Sequence, residues 1–475
     1  MIIQMKKIFS SIIILGFLFS CNDFLQKEPV GRISKDQLFV DMDGIRAAMA
    51  GAYNRTSYYY ARETLLYPDI AGDQLVMKTV GSGPDQDLIL WNEHNFQSLS
   101  DDETGAVGHI WLNIYEALAN INNILEAIPE LRVLEPDFQS ELSDIEAQAY
   151  FLRGLAHFHL CNTYAQTYSF SSGADHLGIP IVTETPGADA NLSRSTVNQV
   201  YQQIINDLNR SIELQYNTVN PYYASTAACE ALLSRIYLYM EDWEESVAFA
   251  ERVLAKNQYS LVDSADYLDM FITNEESPEI IFQLYNRSLG AGTLSSVYSI
   301  STFQAYASES FYEEFDSADV RKTVFGNNNG QHYSLKYAKD DNINQEDWPM
   351  NPIVVRLAEV YLNYAEAAWQ MTDYSKAREV LALIKQRANP SWVNNLNVLT
   401  VGELLKEIYD ERSKELCFEG HRLLDIARRH ESIDRGSNCN SSICTLTYPN
   451  DRFILPIPQK ELDANVNMEP NPGIN

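Results

Sequence analysis

The chain has 475 residues, of which 45% are hydrophobic and 21% are charged, so it has enough apolar material for a large globular core. Its 65 acidic and 35 basic residues give a formal net charge of -30, which repels phosphate backbones and excludes nucleic acid as the expected partner. The 28 Tyr, 19 Phe and 6 Trp favour sugar binding, because flat rings stack on the apolar faces of pyranoses.

The N-terminus has the pattern of a secretory signal. Lys6 and Lys7 precede an apolar run over residues 8–19, and Ser20 and Cys21 follow directly. The run is too short for a permanent membrane span, and a small residue before a cysteine at this point looks like a bacterial lipobox. We therefore predict a signal peptide over residues 1–20, lipidation of Cys21 and a tether over residues 21–38. Ordinary cleavage, with Cys21 as a bystander, is the alternative.

Helical patterns dominate the rest of the chain. Pro129 is interpreted as a stop signal, and Ser143 with Glu146 resembles a capping box that starts a helix. Asp, Gly and Asn between the first two helices predict loops over residues 61–106. Apolar residues at helical spacing predict helices over residues 39–60, 107–128, 143–164, 195–214 and 401–429.

Two further segments resemble tetratricopeptide hairpins, in which small residues let two antiparallel helices approach and aromatic residues fill the groove between hairpins. They cover residues 233–253 and 361–384. Between them, residues 258–352 break the helical rhythm with short β-favouring runs, such as residues 279–284, and scattered aromatic residues. A long irregular insertion of this kind is usually functional or disordered, and its aromatic content favours function.

Several segments, in this order, resemble the RagB/SusD family of surface glycan-binding lipoproteins. The resemblance covers nearly the whole mature chain, although Leu423 stands where the family often carries Trp, and Ile474 where an aromatic residue often closes the tail. The matching segments are Cys21–Leu25, Glu146–Ala156, Leu177–Pro180, Arg194–Val197 with Tyr201 and Asp207–Leu208, Val355–Ala367, Glu411–Arg422, Leu455–Pro458 and Asn471–Gly473.

This resemblance implies a mainly α fold, with one body over residues 39–475 built on four tetratricopeptide-like hairpins and a loop-rich ligand-binding region. It also implies a glycan-binding protein on the cell surface that acts as capture subunit and lid for a SusC-like TonB-dependent outer-membrane transporter. The expected partners are an oligosaccharide or polysaccharide, that transporter and the outer membrane, which is reached through the lipid anchor.

The sequence predicts no catalytic centre, metal or cofactor. Glu411 and Glu415 share a helix face beside Arg412, an arrangement more typical of structural ion pairing than of a glycosidase carboxylate pair. Residues 340–346 alternate oxygen-bearing side chains as a calcium loop does, but Gln345 replaces the required glycine, so a solvated turn is favoured. A surface glycosidase and a peptide-binding scaffold that uses the tetratricopeptide-like groove remain the alternatives.

Aromatic residues in loops are the candidate sugar platforms, because those in helical stripes are explained by packing. Asp and Asn beside them would orient sugar hydroxyls. Cys161, Cys229 and Cys417 lie among apolar neighbours and are interpreted as core residues, whereas Cys439 and Cys444, in a polar loop, are a possible disulfide in an exported protein. The candidate ligand-binding residues are Asp73, Trp91, Asn92, Tyr298, Phe303, Tyr306, Tyr333 and Trp348.

Lipidation of Cys21 is directly testable. Metabolic labelling with an alkyne fatty acid should mark the wild-type protein and leave Cys21→Ala unlabelled, because Cys21 is the cysteine at the end of the apolar run and the other five lie at least 140 residues further along the chain. Equal labelling of the two proteins would contradict the assignment.

Overall fold

The computed structural model describes residues 34–78, 88–187, 190–273, 276–286, 294, 297–298, 303–337 and 351–473. Cys21, Trp348 and the sequence 340–346 lie outside this part of the chain. Within it the fold is mainly α, as predicted. No helix in the described residues is both long and apolar enough to cross a membrane.

Helices make up most of the body, and a π-helical turn at Tyr60–Thr64 joins the second helix to the third. The helices are α1 Lys35–Leu38, α2 Met42–Tyr59, α3 Leu65–Ile70, α4 Trp91–His94, α5 Ala106–Leu134, α6 Gln139–Tyr164, α7 Val197–Glu213, α8 Thr226–Tyr239, α9 Trp243–Ala255, α10 Asp269–Ile272, α11 Glu309–Glu313, α12 Leu357–Gln370, α13 Tyr374–Ala388, α14 Val401–Glu415, α15 Arg422–Arg428 and α16 Gln459–Ala464.

Short strands interrupt the helical body in three places. An antiparallel four-stranded sheet has the order β1-β3-β5-β4, and two strand pairs, β2-β6 and β7-β8, lie apart from it. The strands are β1 Leu75–Met77, β2 Ile280–Gln283, β3 Ala305–Ala307, β4 Phe325–Asn328, β5 Gln331–Ser334, β6 Ile353–Arg356, β7 Ile433–Asp434 and β8 Thr445–Leu446.

The two predicted hairpins are confirmed as α8/α9 and α12/α13, and α9 packs on α12 to bring them together. Small residues let the two helices of the first hairpin approach each other: Ser234 on α8 and Ser246 on α9 are fully buried, and each hydroxyl donates to the other's backbone carbonyl, at 3.0 and 2.9 Å. Helices α2, α5, α6 and α7 pack in succession on the other side of α8. One apolar core runs through both groups.

Two predicted helix boundaries are wrong. Helix α5 continues through Pro129 to Leu134, because a proline removes one backbone hydrogen bond while Leu131, beyond it, is fully buried against the core. Helix α6 begins at Gln139, and the Ser143 hydroxyl donates to the Gln139 carbonyl instead of capping the helix. The predicted helix over 195–214 is confirmed as α7, with a capping box of Thr196 and Gln199.

Residues 61–106, predicted as loops, contain α3, β1 and α4. The predicted continuous helix over residues 401–429 is wrong as well, because α14 ends at Glu415 and α15 begins at Arg422. The break contains Phe418 and Gly420 with positive φ angles of 64° and 78°. The turn is held by the buried Asp69, whose carboxylate accepts hydrogen bonds from the backbone N–H groups of residues 420–422.

A buried ion network fastens the irregular insertion to the C-terminal helices. Arg356, at the end of β6, donates to Glu279 at 2.7 Å, to Glu415 at 2.7 Å and to Glu419 at 2.8 Å. Arg321, from the insertion, pairs with Glu411 at 2.7 Å and Glu415 at 3.2 Å. Every side chain named here is buried. The prediction that Glu411 and Glu415 are structural ion-pair partners is thus confirmed.

A second buried group extends the pairing to the last helices. Arg412 donates to Asp425 at 2.8 Å, and Arg428 forms a two-pronged pair with Glu366 at 2.6 and 2.7 Å. These contacts join α12, α14 and α15. Cations and carboxylates alternate through both groups, so each buried charge has a compensating partner.

Removing one charge from this network should be costly. Burial alone would raise the pKa of Glu415, but Arg387, Arg356 and Arg321 hold it well below its ordinary value. We expect Glu415→Gln to lower the free energy of unfolding by about 3–5 kcal/mol, because it removes the one buried carboxylate that Arg387, Arg356 and Arg321 share. Glu379→Gln, which breaks an exposed pair with Lys376, should cost less than about 1 kcal/mol.

Acid should weaken the same buried ion network by protonating its carboxylates. Arg356 and Lys336 overcome the effect of burial and lower the pKa of Glu419 to about 2. A carboxylate with a depressed folded-state pKa stabilises the fold above its unfolded pKa, and that contribution is lost as the pH falls toward the folded value. The melting temperature should therefore fall steeply between about pH 4.5 and pH 2. A flat profile over that window, or equal costs for Glu415→Gln and Glu379→Gln, would contradict this assignment.

Candidate functional site

One face of the four-stranded sheet carries a group of tyrosines from the insertion. In the observed register Val76 lies opposite Tyr306, and Gly326 lies opposite Tyr333. Directly opposed residues of antiparallel strands share a face of the sheet. Ala307 pairs with His332 on one face. Because successive residues of a strand alternate between faces, their neighbours Tyr306 and Tyr333 lie together on the opposite face. We call the surface of Val76, Tyr306, Gly326 and Tyr333 the sheet face.

Three aromatic rings pack together on the sheet face. Phe303 stacks on Tyr333, with ring centroids 5.3 Å apart and planes inclined by 20°, and Tyr306 meets Phe303 edge-on at 6.2 Å. The Lys78 ammonium lies 4.5 Å from the centroid of the Phe303 ring. Phe303 and Tyr333 are buried, and Tyr306 is partly exposed. Phe303, which is itself stacked on Tyr333, therefore supports Tyr306, which we take as the candidate contact residue of this aromatic cluster.

A glycine makes room for the cluster. A Cβ atom on Gly326 would stand 2.1 Å from the Tyr333 ring, so the ring lies directly against the backbone of β4. Covering a strand glycine with a cross-strand aromatic ring fixes the register and the ring orientation together. Tyr333 is thereby held in one position beneath Phe303.

The first irregular region joins the sheet next to this cluster. The backbone N–H of Ile89 donates to the Gln304 side chain at 2.8 Å, and that of Lys78 donates to the Gln304 carbonyl at 2.7 Å. These bonds place α4, which carries the partly exposed Trp91 and the exposed Asn92, beside the start of β3. The structure thus brings together parts of the two irregular regions in which the candidate residues were predicted.

A disulfide-closed loop holds this region from the other side. Cys439 and Cys444 are joined, with their Cα atoms 5.7 Å apart. Between them, Ser441 donates to the His94 carbonyl at 3.0 Å, and the Ser442 N–H donates to the Asn95 side chain at 2.7 Å. The Asn440 amide donates to the Met77 carbonyl at the end of β1. We call residues 435–444 the disulfide loop.

Arg435 and His94 complete the attachment of the disulfide loop. The Arg435 guanidinium donates to the carbonyls of Gly72 at 2.8 Å and Ala71 at 2.9 Å. Burial, reinforced by the charge of Arg435, lowers the pKa of His94 to about 4, so its ring is neutral at pH 7 and donates to the Ile70 carbonyl at 2.9 Å. Both ends of the segment that leads to Trp91 are therefore fixed by hydrogen bonds.

Other candidate residues do different work. Both Asp73 carboxylate oxygens accept from Arg422, at 2.6 and 2.8 Å, so Asp73 ties the first irregular region to α15. The expectation that Tyr298 offers an exposed stacking face is wrong, since its side chain is 0% exposed and packs edge-on against Phe418 at 5.5 Å. Phe303 and Tyr333 are likewise buried supports.

Sequence reasoning missed Lys78, Gln304 and Asn440, which connect the segments of the site. Isolated polar residues in loops carry no sequence pattern that reports such contacts. For metal ions, no group of three or more His, Cys, Asp or Glu side chains in the described residues is placed to hold one. The structure confirms Cys161, Cys229 and Cys417 as free, buried cysteines.

Comparison with known proteins identifies relatives along most of the chain. A family model described as starch-binding and associating with the outer membrane matches residues 23–238, and the model of the SusD family matches residues 292–473. Two SusD-like proteins of Formosa agariphila are 25% and 23% identical to the chain. The alignments cover 97% and 98% of this chain and 98% and 97% of the relatives, respectively.

Solved structures give the same result. A putative sugar-binding protein from Bacteroides vulgatus is 30% identical, with a TM-score of 0.82 over 92% of this chain and 99% of that one. A SusD superfamily protein from Bacteroides thetaiotaomicron is 26% identical, with a TM-score of 0.82 over 91% of this chain and 100% of that one.

The oxidation state of the disulfide loop stays a prediction for the exported protein. Protein exported to the periplasm behind a cleavable signal, with residue 22 as its first mature residue, has five cysteines. Alkylation in denaturant without reductant should add three groups, at the three free cysteines, whereas reduction first should raise the number to five. Five groups without reductant would contradict the bridge.

Removing the disulfide should increase the local mobility of the segment around Trp91 while lowering the stability of the whole fold only modestly. We expect Cys439→Ser with Cys444→Ser to lower the free energy of unfolding by about 2 kcal/mol, as for a short closed loop. Deuterium uptake should rise over residues 88–96, which the loop contacts, and stay unchanged over α12 and α13. Equal increases in both regions would show that the loop does not act locally.

Proposed function

We propose that this chain, which belongs to the SusD/RagB family, captures oligosaccharides at the outer surface of the cell and passes them to a TonB-dependent outer-membrane transporter. The carrying observation is the aromatic cluster on the sheet face, where Tyr306 stands on buried rings beside the segment of Trp91. The sugar-binding name of the Bacteroides vulgatus relative supports a carbohydrate as the ligand.

The sheet face suits reversible sugar binding. A ring backed by two others keeps its orientation, so little conformational entropy is lost when a sugar stacks on it. Asn92 on α4 and Gln331 on β5 provide amide groups that can both donate to and accept from hydroxyls. Lys78, over the Phe303 ring, adds a further hydrogen-bond donor. Polar groups around an aromatic platform are typical of sites that orient a ligand without reacting with it.

A non-enzymatic role agrees with the burial and ion pairing of the carboxylates in the segment Glu411–Arg422. Glu411, Glu415 and Glu419 are buried, and each pairs with arginine or lysine. A glycosidase needs one carboxyl group that donates a proton and a second near it, both facing the substrate. These three acids, engaged inside the protein, support binding over hydrolysis as the proposed function.

The proposed transporter contact lies on the second tetratricopeptide-like hairpin. Val393 and Val398 are both 81% exposed, in a segment that packs along α13 where Arg378 donates to the carbonyls of Leu396 and Leu399. Leu383 and Val401 add exposed apolar surface nearby. A lipid anchor at Cys21 would keep the protein at the membrane where the transporter lies.

Mutation of Tyr306 tests sugar binding. Tyr306→Ala should weaken binding of an oligosaccharide that a glycan array identifies by roughly thirtyfold, because truncating a central aromatic residue commonly costs about 2 kcal/mol. Trp91→Ala should act in the same direction. Tyr306→Phe, which keeps the ring, should bind nearly as wild type does. Tyr237→Ala is the control, since that partly exposed ring stacks on Phe249 away from the sheet.

The two possible effects of these changes differ. Loss of packing alone would lower the melting temperature of Tyr306→Ala and Tyr237→Ala alike and leave the affinity for sugar intact. Titration calorimetry and melting curves on the same samples distinguish this from loss of a contact. Normal binding by both Tyr306→Ala and Trp91→Ala would contradict the proposed site.

Co-purification tests the transporter pairing. In mild detergent, a tagged wild-type protein should bring down a TonB-dependent transporter from its native outer membrane. Val393→Asp with Val398→Asp should reduce recovery at least about tenfold, as expected when charges are placed in an apolar interface. Val466→Asp, at an 87% exposed valine elsewhere, should not. Equal recovery with all three proteins would exclude this surface.

A further inference from the structure

A second aromatic surface lies outside the sheet face, and sequence reasoning did not select it. Tyr285 and Tyr223 are 53% and 44% exposed, high values among the large aromatic side chains of the described residues. Tyr285 follows β2, and Tyr223 lies in the loop between α7 and α8. We call Tyr53, Tyr222, Tyr223 and Tyr285 the tyrosine patch.

Each exposed ring of the tyrosine patch rests on a tyrosine that is itself held in place. Tyr285 meets Tyr222 edge-on at 5.9 Å, and Tyr223 meets Tyr53 edge-on at the same distance. The Tyr222 hydroxyl accepts from the Asn351 amide at 3.2 Å. The Tyr53 hydroxyl donates to Gln148 at 2.8 Å and accepts from the Ala224 N–H at 2.9 Å. In both arrangements an exposed tyrosine ring packs edge-on against a tyrosine whose hydroxyl is hydrogen-bonded, and the two pairs meet at the adjacent residues Tyr222 and Tyr223 of one loop.

The backbone under the tyrosine patch is also fixed. The Gln283 N–H donates to the Pro221 carbonyl at 2.8 Å, which attaches the α7–α8 loop to β2. The Asn286 N–H donates to the Asn351 side chain at 3.0 Å, and both asparagines are buried. The exposed rings therefore project from a rigid base, where ordering a bound ligand costs little protein entropy.

We infer that the tyrosine patch is a second carbohydrate subsite, which takes a neutral oligosaccharide. This rests on the proposed function of sugar capture. Exposed rings supply stacking faces, and tyrosine adds a hydroxyl that hydrogen-bonds at the edge of the ring. The described groups that hold the rings are amides, hydroxyls and backbone. With a net charge of -30 on the chain, acidic polysaccharides are disfavoured and uncharged ones are the matching class.

Binding of four neutral oligosaccharides, maltoheptaose, laminarihexaose, cellohexaose and mannohexaose, tests the inference by titration calorimetry. Wild-type protein should bind at least one of them. Tyr285→Ala and Tyr223→Ala should each weaken that binding by about tenfold or more, as for truncated aromatic contacts. Tyr285→Phe should stay within about threefold of wild type, because the stacking face remains.

Phe170→Ala is the matched control. Phe170 is 39% exposed and meets His176 at 5.2 Å in another part of the surface, so its loss should leave the affinity unchanged. Melting curves of all variants identify any that are misfolded. If Tyr285→Ala is misfolded, the affinity of Tyr285→Phe for the sugar, expected within about threefold of wild type, is the measurement that tests the inference.

The outcomes separate the two proposals. If Tyr306→Ala loses binding while Tyr285→Ala and Tyr223→Ala keep it, the second subsite is wrong and the proposed function stands. Loss with all three variants supports one extended ligand that crosses both surfaces. No binding of any of the four sugars to wild type would overturn the neutral class assigned to the tyrosine patch. Loss of binding with Phe170→Ala as well would overturn it too, since the effect would not be local.

Discussion

The ion network around Arg356 is the interaction on which the architecture depends. It joins residues that helix periodicity leaves unconnected: Glu279 before β2, Arg321 in the insertion, Glu415 at the end of α14 and Glu419 in the turn that follows. Burying so many charges is expensive, and the geometry offsets that cost only while every partner is present. Strands β2 and β6 bury their apolar residues in the core, and the ion network fixes the insertion to the end of α14.

Rigid attachment has a direct consequence for the proposed site. Tyr306 and Tyr333 belong to strands of three and four residues, which would not keep a register alone. Three features together hold the rings without a ligand: Tyr333 packs over Gly326, Arg321 and Lys336 on either side of β4 and β5 in the chain pair with carboxylates of the ion network, and the disulfide loop lies beside the segment of Trp91. Such preorganisation suits a protein that must bind a sugar and release it unchanged.

The sequence predicts the helical body well and its interruptions poorly. Apolar spacing located α7 and both hairpins because those helices bury one face against neighbours along the chain. It could not place the break between α14 and α15, since the carboxylate that holds that turn, Asp69, lies some 350 residues earlier. Pro129 misled for a related reason, because burial of Leu131 outweighs one lost hydrogen bond.

For the proposed site, sequence reasoning selected two regions that the structure brings together, but it misjudged how deeply several of their side chains are buried. Tyr298 is inside the core and Tyr306 is partly exposed. Loop composition cannot distinguish them, because both stand in the same irregular stretch without a periodic apolar pattern. The bidentate pair of Asp73 with Arg422 spans 349 positions and has no local pattern. Tyr285 directly follows the β-favouring run over residues 279–284, and its sequence context does not distinguish it from a residue of a buried strand.

Reversible binding without turnover is the central claim, and one measurement addresses it most directly. Purified protein is equilibrated across a dialysis membrane with an oligosaccharide that it binds, and the sugar in both chambers is then analysed by mass spectrometry. The account predicts excess intact sugar on the protein side, full recovery of its original length and complete release on dilution. Shortened sugar that accumulates with time in the presence of the wild-type protein alone would contradict it.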